Sequence, residues 1–187
     1  QAEWVIFSLH FHEGDMDREL PGKFVQPFAH DCVDAGCTAF IGHGPHILRG
    51  MEIYKGAPIF YSLGNFVFQN ESVRKLPYDV YEQYKLDDTA TAADLYDART
   101  KNDTRGFPAD CMYWESVLPL CRWEGGKLVD IKLYPLTLGY GLPRQLRGRP
   151  VMATGQLAEK IIGDMIRMSR PFGTDIQYRD GVGIVKL

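Results

Sequence analysis

Two short apolar runs, each ending in histidines and separated by one amphipathic stretch, constrain this chain more than any other feature. Residues 3–9 are rich in Trp, Val, Ile and Phe and stop at His10, which reads as a buried strand. Residues 22–36 place Phe24, Phe28, Cys32 and Ala35 at helical spacing, and Gly36 supplies a helix stop. Thr38-Ala39-Phe40-Ile41 is a second short strand, and it runs into Gly42-His43-Gly44-Pro45-His46. Strand, helix, strand predicts a βαβ unit with parallel strands. Both histidine clusters then lie at the C-terminal ends of their strands, where open α/β sheets hold ligands.

The remaining pattern extends this into an α/β fold with layered helices and sheets. Residues 51–54 and 58–63 read as two strands, with Gly56 in the turn between them and Pro58 opening the second. Residues 65–68 continue as extended chain. From about 70 to 112 the chain turns polar, with Asp87-Asp88 and many Thr and Ala, and only weak helical patterning. This segment reads as an insertion with partial mobility. A hairpin follows, from Trp114 to Trp123 and from Lys127 to Tyr134, turning at Glu124-Gly125-Gly126. Residues 139–151 are rich in Gly, Pro and Arg and read as loop. Thr154 is placed to cap a helix running to about Arg170, with Leu157, Ile161, Ile162, Met165 and Ile166 as its apolar stripe. A short hairpin at Asp180-Gly181 closes the chain.

The chain has 187 residues, 45% of them hydrophobic and 24% charged, which suits one domain or part of one. Its net charge of −3 argues against nucleic acid as a partner. No apolar run is long enough to span a membrane. The N-terminus lacks the basic region of a signal peptide and also an initiator Met, so the natural protein is expected to begin earlier. Localisation stays open between cytoplasmic and extracytoplasmic, the latter with an upstream signal or anchor. The four cysteines form no Cys-x-x-Cys pair, and Cys32 and Cys37 read as small core residues.

The histidines carry the chemistry. In Ser8-Leu9-His10-Phe11-His12, period 2 puts His10 and His12 on one face of a strand. In the Gly42–His46 loop, small and rigid residues separate His43 from His46. Neutral imidazole is the commonest metal ligand. Nitrogen ligands joined by carboxylates or amides suit Zn, Fe or Mn. Three or four histidines make a mononuclear site, whereas a two-metal site needs bridging carboxylates. Glu13, Asp15 and Asp17 stand nearby in a Gly-containing loop and read as solvated. His30, inside the first helix, reads as structural. Asn65 is either a site contact or a turn former after Gly64. There is no Gly-x-Ser-x-Gly elbow and no phosphate-binding Gly-rich loop. Ser8 and Ser62 lack a demonstrated base.

Taken together, Ser8-Leu9-His10, Gly42-His43-Gly44-Pro45-His46, Gly50-Met51-Glu52-Ile53-Tyr54-Lys55-Gly56 and Tyr61-Ser62-Leu63-Gly64-Asn65-Phe66 resemble the CapA-type poly-γ-glutamate capsule-biosynthesis family. The resemblance is close over residues 4–68. It is looser in the hairpin at 114–134 and in Phe172-Gly173-Thr174. That family is similar to the calcineurin-like metallophosphoesterases, which implies a sandwich of two β-sheets flanked by helices, with this chain as its C-terminal half. It also implies two divalent ions in the complete protein. His10 would correspond to the fourth metal motif, and His43 and His46 to the final Gly-His-x-His pair, with Pro45 as one extra residue. The acidic motifs and the general acid are expected upstream. Family members usually carry Trp-Gly where this chain has Phe11-His12, which singles out His12 as an added ligand or substrate contact.

The expected function is a metal-dependent phosphoesterase-like hydrolase of capsule biosynthesis, acting on an anionic small molecule or polymer. The alternative is a non-catalytic accessory protein that holds polymer or partner. Half a sandwich leaves strand edges unpaired, so the chain is expected to need its N-terminal half or a second copy.

Overall fold

The computed structural model describes residues 2–14 and 16–187. The strand–helix–strand reading holds. Strand β1 (Ile6–His10), helix α1 (Val25–Asp34) and strand β2 (Ala39–His43) form the unit, and β1 and β2 run parallel. Their register pairs Ile6 with Ala39 and ends by pairing His10 with His43. Strands β3 (Leu48–Tyr54) and β4 (Ala57–Leu63) complete a sheet of order β1-β2-β4-β3, in which β3 alone is antiparallel. The middle of this sheet is covered on both faces, so β4 reads as a nearly continuous apolar run.

The face that α1 buries differs from the predicted one. Val25 and Ala29 are fully buried, whereas Phe24 is 49% exposed and Phe28 37%. The two phenylalanines lie at the rim, where Phe28 meets Phe7 and Phe40 edge-on and Phe24 meets Phe11. A helix over a flat sheet brings small residues to the line of closest approach and leaves long ones to reach around it. The helix also carries a polar task. His30 Nε2 lies 2.9 Å from Glu52 Oε1, Gln26 donates to Oε2 at 3.1 Å, and the Tyr61 hydroxyl donates to Oε2 at 2.6 Å. Glu52 is 7% exposed, and these three partners satisfy its buried carboxylate. His30 is therefore structural, as its position in the sequence implied.

Two helices form in the segment read as an insertion, α2 (Tyr78–Gln83) and α3 (Ala92–Thr100). Helix α3 begins with a capping box between Thr91 and Asp94 and buries Leu95 and Tyr96. Strands β5 (Glu115–Glu124) and β6 (Lys127–Thr137) form the expected hairpin, with both turn residues, Gly125 and Gly126, at positive φ. The stretch read as loop contains strand β7 (Val151–Met152), which pairs with β6. Helix α4 (Gly155–Ser169) follows Thr154, but the Thr154 side chain makes no capping hydrogen bond. Strands β8 (Ile176–Arg179) and β9 (Val182–Val185) close a second sheet of order β5-β6-β9-β8.

The two sheets and α4 share one core. Leu48, Met51 and Phe60 of the first sheet join Val117, Ile131 and Leu133 of the second around Ala158, Ile161, Ile162 and Met165. On α4, Leu157 is 36% exposed and Ala158 takes the buried place predicted for it. The end of α4 comes into backbone contact with β3. A Cβ at Gly50 would stand 2.2 Å from the Met168 carbonyl oxygen, and the Met51 amide donates to Ser169 Oγ at 3.0 Å. A single bridge, Gly64 to Ser116, stitches the end of β4 to the start of β5. Among the described residues no helix is long and apolar enough to cross a membrane.

Candidate metal centre

Parallel pairing decides where the histidines meet. Because His10 and His43 are register partners at the ends of β1 and β2, their Nδ1 atoms lie 3.1 Å apart. His12, two residues on, brings its Nε2 to 3.0 Å from His10 Nε2. The far side of His43 is held by Ser8, whose Oγ is 2.9 Å from Nε2. Ser8, His43, His10 and His12 thus form one continuous chain. With one proton in each N···N contact, both nitrogens of His43 and of His10 are satisfied in the neutral form, with all protons pointing the same way along the chain. Burial pushes the His43 pKa down, and the neighbouring His10 pushes it further the same way. Both effects favour the neutral ring that binds metal.

The loop after β2 is shaped by close backbone approach. A Cβ at Gly44 would stand 2.2 Å from the Phe11 carbonyl oxygen, and Gly44 has φ 124. The Phe11 amide donates to the His43 carbonyl at 2.9 Å, tying the two histidine loops together. His46 then adopts a left-handed conformation, φ 63. Its ring lies near Phe68 and Phe107, with centroids at 5.8 and 5.6 Å. The His46 and His12 rings stay 6.3 Å apart.

Asn65 fixes the His46 tautomer. Its Nδ2 donates to the carbonyls of His46 at 3.1 Å and Tyr113 at 2.9 Å, so its Oδ1 must accept from His46 Nδ1–H, at 2.7 Å. The lone pair of His46 is then on Nε2, which has no hydrogen bond among the described residues. Asn65 is 8% exposed and acts by positioning this ring.

Of the sequence-predicted residues, the structure joins His10, His12 and His43 directly and leaves His46 at the margin with Asn65. Ser8 was missed as a partner because only strand register shows that it faces His43. Asp17 accepts from the Glu19 amide at 2.9 Å and Glu19 pairs with Arg167, so both carboxylates have partners of their own. Glu13 is exposed and offers its carbonyl to Arg49. Asp15 lies outside the described residues.

The fit to a metal is partial. Nitrogens bound to one Zn at 2.0–2.1 Å in a tetrahedron stand about 3.3 Å apart. The two N···N contacts, 3.1 and 3.0 Å, are close to that edge length. His10 nevertheless offers different nitrogens to its two neighbours. Among the described residues no group of three or more His, Cys, Asp or Glu converges as a ready metal site.

Comparison with known proteins finds relatives over the stretch that holds the histidine loops. Residues 1–70 match the family described as "Bacterial capsule synthesis protein PGA_cap". The uncharacterized protein y4sH of Sinorhizobium fredii is 40% identical over the whole of this chain, which spans 42% of that relative's length. The capsule biosynthesis protein CapA of Bacillus anthracis is 36% identical over 57% of this chain and 25% of its own. The PGA biosynthesis protein CapA of Bacillus subtilis is 43% identical over 36% of this chain and 17% of its own. With its histidine loops inside the matched region, the N-terminal part of the chain is similar to the bacterial capsule synthesis proteins of CapA type.

Proposed function

We propose that this chain supplies the imidazole side of a divalent-metal centre in a phosphoesterase-like hydrolase of capsule biosynthesis. The observation that carries the reading is the in-register pairing of His10 and His43 at adjacent parallel strand ends, with His12 continuing the row. His10 and His43, whose Nδ1 atoms face each other, would hold the ion, with His12 on the far side of His10 and His46 Nε2 left free to join them or to meet substrate. An ion held there, Mn, Fe or Zn, would supply Lewis-acid polarisation of an anionic substrate. Ser8 and Asn65 orient His43 and His46, as outer partners of metal ligands do. Carboxylates that complete a two-ion centre, and a general acid, would come from outside this chain.

Metal analysis of the full-length protein tests the reading. Wild type is expected to retain Mn, Fe or Zn through gel filtration, and His43→Ala to lose most of it. A metal-free wild type whose Tm does not move on adding any of the three ions overturns the proposal.

The lack of a converged donor group among the described residues favours a second reading, an accessory protein that holds polymer without turning it over. A protein that binds metal and capsule polymer but releases no product would support it.

A further inference from the structure

A second site lies in the 70–114 segment, and Phe107, whose ring meets that of His46, is part of its lining. It is an open pocket of about 490 Å³, which suits a small ligand or a short piece of chain. Tyr84, Tyr96 and Tyr113 form its walls, and Arg99 and Arg105 project at its edge. The two acids in the lining are already engaged. Glu71 is held by Arg147 at 2.5 Å, and Asp110 by Arg18 at 2.5 Å. Arg99 and Arg105 make no ion pair and no side-chain hydrogen bond among the described residues. The pocket therefore has two uncompensated guanidinium groups.

Backbone strain keeps the second of them there. Lys101, Asn102 and Asp103 are consecutive left-handed residues, φ 49, 54 and 63, and none is glycine. Each such residue is unfavourable on its own. The turn is held by the Asn102 amide to the Asp97 carbonyl at 3.0 Å and the Asp103 amide to Thr100 Oγ1 at 3.1 Å. It folds the chain back until the Arg105 amide reaches the Thr100 carbonyl at 2.9 Å, which returns Arg105 to the pocket that Arg99 borders from the last turn of α3.

We propose that this pocket is an oxyanion-binding subsite, in which Arg99 and Arg105 hold carboxylate or phosphoryl oxygens and the tyrosines cover the ligand's apolar part. Guanidinium suits both oxyanions because its fork of donors matches two oxygens at once. None of the four histidines of the metal reading lines the site, although Phe107 of its lining meets the His46 ring.

Calorimetry on the full-length protein tests it with two probes, a γ-linked triglutamate and inorganic phosphate. Either probe is expected to bind, and the double variant Arg99→Gln/Arg105→Gln to bind at least about tenfold more weakly. Tightest binding of triglutamate assigns carboxylates, and tightest binding of phosphate assigns a phosphoryl group. The variant should keep the wild-type Tm because neither arginine makes an ion pair. His43→Ala should bind the probe as wild type does, so loss of metal and loss of this subsite are separable. Failure of both probes to bind, or binding undiminished in the double variant, overturns the proposal.

Discussion

Gly44 is the residue on which the histidine loops depend. Any side chain there meets the Phe11 carbonyl, and φ 124 is strained for every L-residue with a Cβ. Gly44→Ala is expected to cost about 2–4 kcal/mol, read from urea unfolding, and to weaken metal retention as much as loss of a histidine does. Unchanged stability with normal metal content would show that the two loops are not locked together. The histidines themselves were legible in the sequence because period 2 and the Gly/Pro loop confine where rings can point. The way the rings sort was not. His46 sits outside the row, on a left-handed backbone that no residue pattern announces, and Asn65 serves it from 19 positions further along. Ser8 looked inert for the same reason, because its partner is set by strand register 35 positions away.

At the scale of elements, the β-hairpins and the βαβ unit were readable because turn residues and strand periodicity are local. The 70–114 segment was not, because its order comes from long-range ion pairs. Arg147, 4% exposed at its side chain, holds Glu71 and Asp103 together and lies over the Trp114 ring at 5.1 Å. The segment is also pinned by the Phe68 amide, which donates to the Gly148 carbonyl at 2.7 Å. Arg147→Gln leaves the buried Glu71 carboxylate short of a partner and is expected to cost about 3 kcal/mol. Hydrogen exchange should show lost protection concentrated in 70–114 rather than in the sheets; uniform loss across the molecule would count against a separate clamp. A pH dependence follows. The hydrogen bond and charge of Arg147 hold the Asp103 carboxyl below its ordinary value of 3.8, against a weaker opposing effect of burial. A carboxyl with a lowered folded pKa contributes stability above its unfolded pKa and loses it as pH falls through the folded value. Protection of the segment should therefore fall below about pH 4, and this fall should shrink in Arg147→Gln.

At the scale of the whole molecule, the first sheet ends in an open edge. Strand β1 has β2 as its only strand partner among the described residues, and it sits at the end of the sheet order. Ile6 is 65% exposed, Trp4 45% and Val5 44%, and Trp4 meets Trp123 edge-on at 5.6 Å. On β5, at the end of the other sheet, Leu118 and Leu120 are exposed too. Unpaired amides and carbonyls beside apolar side chains favour strand addition by another chain. Charge offers little resistance, since the net value is only −3 over 187 residues. The isolated chain of residues 1–187 is therefore expected to self-associate, seen as a concentration-dependent rise in sedimentation coefficient. Ile6→Lys places a charge on that edge and removes an apolar contact of about 1.5–3 kcal/mol, enough to weaken association by about tenfold or more. The full-length protein should respond differently if its additional residues cover β1. There the same substitution would lower Tm rather than change the oligomeric state. A chain of 187 residues that stays monomeric at high concentration, with Ile6→Lys silent, would mean that the edge is satisfied within this fold.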